Sequence, residues 1–552
     1  MTTKLAIPLL VLAGILIGGS LLFVRAIPPT ATPDPIQADA WVTVRPSVAV
    51  AQVGDVLGAV VNENYWGADH PLHPDWNDRY LGRTVTRIRE LTPGNGRKFG
   101  VRFGPSPTDG AWGNEGYRWV DAFDPRAWTT SIDEFMDYVE QVGGEPHIGV
   151  NFGSGTAQEA AALVAYVNGT DPSNPYVKQR MERGQVAPYN VRNWIVGFEP
   201  YAQSTTGNRG DRRFDFANPA AANGGDPEWH GKPSSDPANF AARAAQFARE
   251  MRVASPTPIE IYAPANTWDL TQWGGSEPSI KALAAGLGDS VDGLTLTFYP
   301  AGTAYGETEI DLLGRPETLA QKLDQLQRLW SQFSSSEKPV KIGDVQFNNS
   351  SRGDEQAHQL VNALFVVDTI RVLAAKGVAS GFYFAISAAA GNASGHSYFA
   401  HGDVDKPMPS YLATELVSRH LGNVVVASEV SGGSVASATG GKAGAFTYPT
   451  LTVLPSLSPD RSTLYLVVVN KDLEGAQTVA IQLDGVRPAD SARVTLLSGP
   501  SATAAADEVQ LTELDLSLGE SARSGNPIVH TFPAHSVTAF RIPLTAPVPP
   551  SS

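Results

Sequence analysis

The chain of 552 residues contains no cysteine. Disulfides, thiolate nucleophiles and cysteine-ligated metals are thereby excluded, and the redox compartment is left open. A basic excess is missing too: 41 Lys and Arg stand against 56 Asp and Glu, for a net charge of −15. No basic stripe is offered to phosphates, so no nucleic-acid partner is expected. Metal-binding spacing is lacking as well. His147, His396 and His401 invite a metal reading, but they share no helix face and no i, i+4 pattern. The turn Gly153-Ser154-Gly155-Thr156 lacks the lysine of a phosphate-cradling loop. Neither a metal nor any other cofactor is expected.

Long apolar runs are scarce, and the one exception is at the start. Residues 5–24 are mostly apolar and flanked by Lys4 and Arg25. About twenty such residues suit one membrane span and are long for a signal-peptide core. Residues 1–25 therefore read as a signal anchor, with a cleaved signal peptide as the alternative, and residues 26–40 as a Pro-rich linker. The expected location is extracytoplasmic, either membrane-anchored at the cell surface or secreted.

What remains is rich in structure. Hydrophobic residues make up 42% of the chain, with 53 Gly and 41 Pro, the composition of a loop-rich globular protein. Short apolar runs begin at Val56, Lys98, His147, Trp194, Ile259, Val291, Pro339 and Gly381. Each is followed by helical periodicity or a long loop. Eight β-then-α units predict an α/β fold, a closed (β/α)8 TIM barrel, over 41–423. The pairs Ser131/Glu134 and Thr156/Glu159 mark two helix starts as capping boxes. Further helices are expected over 236–254, 316–333 and 354–376. From residue 424 the periodicity changes to short alternating strands, which predict an antiparallel β-sandwich over 424–545 and a tail over 546–552. Residues 41–53 are expected to lend strands to that sandwich, and 501–524 to form a long loop.

Chemistry is expected at the strand ends. Trp194-Ile195-Val196 reads as a buried strand, Gly197 turns the chain, and Glu199 follows with Pro200 ending the strand. In a (β/α)8 barrel that places a carboxylate in the mouth; the alternative is a surface glutamate in a turn. Glu63 and Trp66 follow the first strand, Trp112 the second and Trp268 the fifth. Aromatic faces among polar groups suit a sugar ring, though loop or core roles are open to each.

Several of these segments resemble a known family. Val101-Arg102-Phe103, Val150-Asn151-Phe152, Glu159-Ala160 with Tyr166, and Tyr189 to Trp194 followed by Glu199 are similar to the barrel of the family 51 α-L-arabinofuranosidases. Pro407 to Tyr411, His420-Leu421-Gly422, Leu466 to Lys471 and Ala534 to Thr538 resemble its later segments. The resemblance implies a retaining glycoside hydrolase in which one carboxyl protonates the leaving oxygen. A second, about 5 Å away, attacks the anomeric carbon. It implies Glu199 as acid/base. It implies Asp344 as nucleophile if Pro339 sets the register, or puts Gln346 at that position if Phe347-Asn348 sets it. Arg102, Asn151, Phe198, Tyr299, Gln346, Trp66 and Glu63 are the implied substrate contacts.

The chain also departs from the family pattern. Phe198 stands where an asparagine contacts the sugar 2-hydroxyl, and Thr297-Phe298-Tyr299-Pro300 keeps only the tyrosine and proline of that motif. Three readings follow: a hydrolase of oligo- or polysaccharide, a catalytically degenerate carbohydrate-binding protein, and a tethered interaction protein. The sugar, the linkage and the oligomeric state are left open.

Overall fold

The computed structural model describes residues 37–61, 84–92, 94–103, 119–120, 123, 130–152, 155–197, 237–266, 276–300, 308–334, 340–349, 354–386, 397–400, 403–439 and 444–550. The apolar run expected to span a membrane lies outside these residues. Among the described residues, no helix is long and apolar enough to cross a membrane.

After β1 (Ala40–Gln52), eight parallel strands close into a barrel in chain order. They are β2 (Gly58–Val61), β3 (Gly100–Phe103), β4 (Glu145–Val150), β5 (Asn193–Val196), β6 (Glu260–Asn266), β7 (Gly293–Phe298), β8 (Lys341–Phe347) and β9 (Ser380–Tyr383). Closure is made by β2 against β9, with Ala59 opposite Tyr383.

Side chains alternate between two surroundings along these strands. Ile148, Trp194, Ile261, Leu294, Leu296 and Val345 join the apolar layer under the helices. Their neighbours Arg102, His147, Tyr262, Thr295, Asp344 and Phe382 turn the other way and fill the barrel. The barrel interior is therefore largely polar, which burial permits only where hydrogen bonds are found.

The helices are α1 (Ile132–Val142), α2 (Ala157–Asn168), α3 (Pro175–Glu182), α4 (Pro237–Ala254), α5 (Glu277–Leu287), α6 (Glu309–Phe333), α7 (Leu360–Ala375) and α8 (Pro409–Arg419). The expected capping box at α1 is present in both directions, Ser131 with Glu134. At α2, Thr156 accepts from the Glu159 amide. Two helix expectations are corrected. α6 begins seven residues before Pro316, at a capping box formed by Thr308 and Asp311, and carries the proline buried inside it. The helix expected over 354–376 is two pieces, Asp354–Ala357 and α7.

The later strands are β10 (Phe399–Ala400), β11 (Asp403–Pro407), β12 (Val424–Gly432), β13 (Val435–Ala438), β14 (Phe446–Pro449), β15 (Leu451–Leu457) and β16 (Thr463–Asn470). They continue with β17 (Gln477–Leu483), β18 (Ser491–Ser498), β19 (Gln510–Ser517), β20 (Ile528–Phe532) and β21 (Ser536–Pro543). Instead of an all-antiparallel pair of sheets, nine of these strands, β1 included, form one hydrogen-bonded sheet. Its order is β19-β18-β21-β16-β15-β12-β1-β17-β20. β1 is antiparallel to β12 but parallel to β17. The loop expected over 501–524 contains β19, paired with β18 through eight residues.

Both faces of the sheet are apolar where it meets the barrel. On β16, Leu464, Leu466 and Val468 pack into the sheet's own core, while Val467 and Val469 pack into the core shared with the barrel helices. Burial on both faces explains the unbroken run Leu464 to Val469. At about 1.5–3 kcal/mol for each fully buried Leu or Val, this shared face is a large part of what holds the sheet to the barrel.

Helix α7 lies within that joint and is buried nearly all round. Its Asp368 accepts from Lys471 Nζ at 2.9 Å and from Thr452 Oγ1 at 2.7 Å, both on sheet residues, and from Arg371 on its own helix. Residues 38–552 form one compact unit.

Candidate active site

Strand β8 carries the local irregularity that organises the barrel interior. Leu294 of β7 pairs with Ile342, yet the next residue, Thr295, pairs with Asp344, so β8 holds one extra residue at Gly343. Such a bulge lets two consecutive residues face the same side. A Cβ on Gly343 would lie 2.1 Å from the Tyr262 ring, so no other residue fits there without displacing that ring. Asp344 then also points inward, and strand alternation brings Gln346 to the same side nearer the mouth.

Asp344 is fully buried. Arg102 Nη1 of β3 lies 3.3 Å from Asp344 Oδ1, and the Thr295 hydroxyl donates to the same oxygen. Asp344 Oδ2 is buried with no hydrogen-bond partner. Burial pushes the carboxyl above the usual aspartate range, while Arg102 and the Thr295 hydroxyl pull it back.

His147 of β4 faces the same interior. Its Nε2 lies 3.5 Å from Ser380 Oγ, and its ring meets that of Phe382 edge-on at 4.8 Å. Burial, with the Arg102 charge adding to it, lowers the imidazole pKa to about 3. It is therefore neutral at physiological pH. Below it, Glu260 accepts from Lys341, Tyr262 and Arg192. Burial opposes the ionised form of Glu260, but these partners outweigh it and hold the pKa at about 2.

Nearer the mouth, Gln346 Nε2 donates to the Tyr299 hydroxyl oxygen. Gln346 is buried and Tyr299 half-buried, with the tyrosine ring 6.2 Å from that of Phe384. Thr297 lies beside Gln346 in the strand register. Asn151 follows β4 and is 9% exposed. The turn after it is tight: a Cβ on Gly155 would sit 2.5 Å from the Asn151 carbonyl oxygen. Arg243 of α4 fixes that turn by donating to the Gly155 carbonyl at 2.8 Å.

The barrel thus holds two separate contacts, the ionic pair of Arg102 with Asp344 and the neutral pair of Gln346 with Tyr299. Glu63, Trp66, Phe198 and Glu199 lie outside the described residues, as do Trp112, Trp268, His396 and His401. Among the described residues, no group of three or more acidic or histidine side chains is placed to hold a metal. Thr295, which binds Asp344, and Ser380, which faces His147, carried no signal in the sequence beyond their place on inward positions of β7 and β9.

The family profile described as "Alpha-L-arabinofuranosidase 1 domain" matches residues 109–257. Probable α-L-arabinofuranosidase C of Aspergillus clavatus is 33% identical over 121 residues, 18% of this chain and 24% of that protein. The chain therefore matches about a quarter of that curated relative's length. In fold the likeness is wider. The α-L-arabinofuranosidase of Thermotoga maritima, solved with arabinose, superposes with a TM-score of 0.67 at 20% identity, covering 92% of this chain and 100% of that one. The GH51 α-L-arabinofuranosidase of Thermotoga petrophila gives 0.67 at 20% identity, covering 91% and 99%. By local sequence and by the fold of nine-tenths of its length, this chain resembles the family 51 α-L-arabinofuranosidases.

Proposed function

We propose that the protein is a glycoside hydrolase that takes a glycan at the C-terminal mouth of its barrel and cleaves it with retention of configuration. The supporting observation is the pair of contacts made at inward positions of the barrel, Asp344 of β8 with Arg102 of β3, and Gln346 of β8 with Tyr299 just past β7. The family 51 likeness supports the same reading. In this scheme Glu199, three residues past β5, protonates the leaving oxygen and then deprotonates water. The attacking group in the Asp344 route is a carboxylate already engaged by Arg102 and Thr295.

The test is hydrolysis of a panel of aryl glycosides, arabinofuranosides and hexosaminides included, by full-length protein and by Glu199→Gln. We expect at least one glycoside to be cleaved, with a loss on the order of 10²–10⁴-fold in the variant, and proton NMR to report the retained anomer. If no glycoside is cleaved in a Glu199-dependent way, the reading is wrong.

One observation favours a second reading, a glycan-binding protein that has lost turnover. The side chain nearer the mouth on β8 is a carboxamide, held by Tyr299, and it cannot attack or take a proton. Calorimetric binding of an oligosaccharide without cleavage would establish it.

Residues 1–25 are proposed to anchor the protein outside the cytoplasm, with the stretch from 26 up to β1 as a spacer. Soluble protein starting after residue 25 in fractionated cells would count against the anchor.

A further inference from the structure

We infer that Arg243 is a positioning residue for the glycan site: acting from behind the mouth, it sets where Asn151 stands. The inference rests on the glycan-site reading above and adds to it a residue of α4. Three observations carry it.

First, strand alternation puts Asn151 on the inward side. Ile148, Val150 and Phe152 join the apolar layer under the helices, so Asn151, between the last two, turns the other way at the mouth end of β4. A carboxamide there can both donate to and accept from a sugar hydroxyl.

Second, Arg243 fixes both neighbours of that side chain. Its Nη2 donates to the Gly155 carbonyl at 2.8 Å. Gly155 is packed against Asn151: a Cβ there would lie 2.5 Å from the Asn151 carbonyl oxygen and 3.2 Å from its Cγ. The guanidinium carbon also lies 5.4 Å from the centre of the Phe152 ring and 5.0 Å from that of Phe247, within cation–π range. Phe152 meets Phe240 at 5.0 Å and Phe247 at 5.2 Å, both on α4.

Third, the same packing reaches β5. Val150 pairs with Val196, which brings Gly197 beside Asn151. Gly197 has a φ of 79°, and a Cβ on it would lie 2.7 Å from Phe152 Cβ. A shift of Phe152 would therefore move the ends of β4 and β5 together.

Arg243 is 6% exposed. Burying a guanidinium costs more than burying an apolar side chain of its size, so packing alone does not call for an arginine here. What the guanidinium adds is a planar group that donates at its edge and stacks on its face, and lysine cannot do both.

The experiment uses full-length protein and an aryl glycoside that wild type cleaves; for a glycan bound without cleavage, the same variants are compared by calorimetric Kd. Arg243→Met is expected to weaken kcat/KM by about 10²-fold, the scale of a group misplaced by about 1 Å, and Asn151→Ala by at least as much. The double variant should be no worse than Asn151→Ala alone, because a residue acting through another then has nothing to act on. Arg243→Lys should recover part of the loss. Asp368→Asn, at the joint with the sheet, controls for lost stability and should leave kcat/KM unchanged.

Losses that add in the double variant, an unaffected Asn151→Ala, or Arg243→Met as active as wild type would each overturn the inference and leave the glycan-site reading standing. Should Arg243→Met fail to fold, Arg243→Lys with and without Asn151→Ala decides by the same rule. A wild-type protein that neither cleaves nor binds any glycan would remove both.

Discussion

The Arg102–Asp344 pair allows the sharpest test of how the barrel interior is built. Replacing Arg102 by methionine keeps the volume roughly and removes the charge opposite a fully buried carboxylate. Thr295 remains as the partner of Oδ1, and Oδ2 has none. Breaking a buried pair on one side costs about 3–5 kcal/mol, a large share of the 5–15 kcal/mol that typical domains possess. The cost has a pH signature. Asp344 already titrates above its ordinary value because of burial, and removing Arg102 moves it further up.

A carboxyl whose folded pKa exceeds its unfolded one destabilises the fold above that folded value and ceases to do so below the unfolded value. The Arg102→Met penalty should therefore be greatest at neutral pH and shrink toward pH 4. Adding Asp344→Leu should restore stability relative to Arg102→Met, since an apolar pair leaves no orphaned charge. The assay is urea unfolding followed by tryptophan fluorescence, comparing midpoints at equal slope. A loss under about 1 kcal/mol at pH 7, or one independent of pH, would refute the reasoning, because either result requires Asp344 to be solvated or protonated already.

Two further outcomes follow from the same physics. His147 is held neutral to about pH 3 by burial and by Arg102. Its contribution is complete above about pH 6.5 and falls as pH drops toward 3, by about 1.4 kcal/mol per pH unit at most. His147→Gln should flatten the unfolding free energy against pH in that window; an unchanged slope would show the imidazole to be solvated. At the joint, burial opposes the charge of Asp368, but Arg371 and Lys471 more than compensate and hold its carboxyl well below the usual range. Asp368→Asn should cost about 3–5 kcal/mol at pH 7 by leaving Lys471 buried against a neutral group. That cost should fade as pH drops below about 4, where unfolded aspartates protonate and the wild type loses the same contribution. Calorimetry across pH 3–7 reads both terms, and equal melting temperatures at pH 7 would refute the second.

The barrel was legible because each of its eight strands is a short apolar run bounded by Gly, Pro or polar residues. The capping serines and threonines marked where helices begin. Pro316 misled in the opposite sense: its preference for a helix start hides the real start at Glu309, which the Thr308–Asp311 box reveals only when sought. β19 escaped notice because it is an exposed edge whose sequence, Gln510 to Ser517, alternates charge and leucine without aromatics. The β8 bulge could not have been read at all. Register belongs to a pair of strands, and the extra residue that turns both Asp344 and Gln346 inward is visible only against β7. Thr295 was invisible for the same reason.

The position of β1 has a consequence for how the molecule is made. Ala40 pairs with Gly432 and Val479, so the first strand of the unit completes its neighbours only when the far end of the chain exists. At about 5–20 residues per second, a ribosome needs roughly 20–80 seconds to travel from one partner to the other. For that interval a strand carrying Trp41, Val42 and Val44 has no sheet to join, while the barrel strands emerge and find one another in order. The emerging chain must carry an unpaired apolar edge for most of its synthesis. A holdase that delays β1, or a slow stretch of translation before residue 424, would therefore change yield without changing the stability of the finished protein.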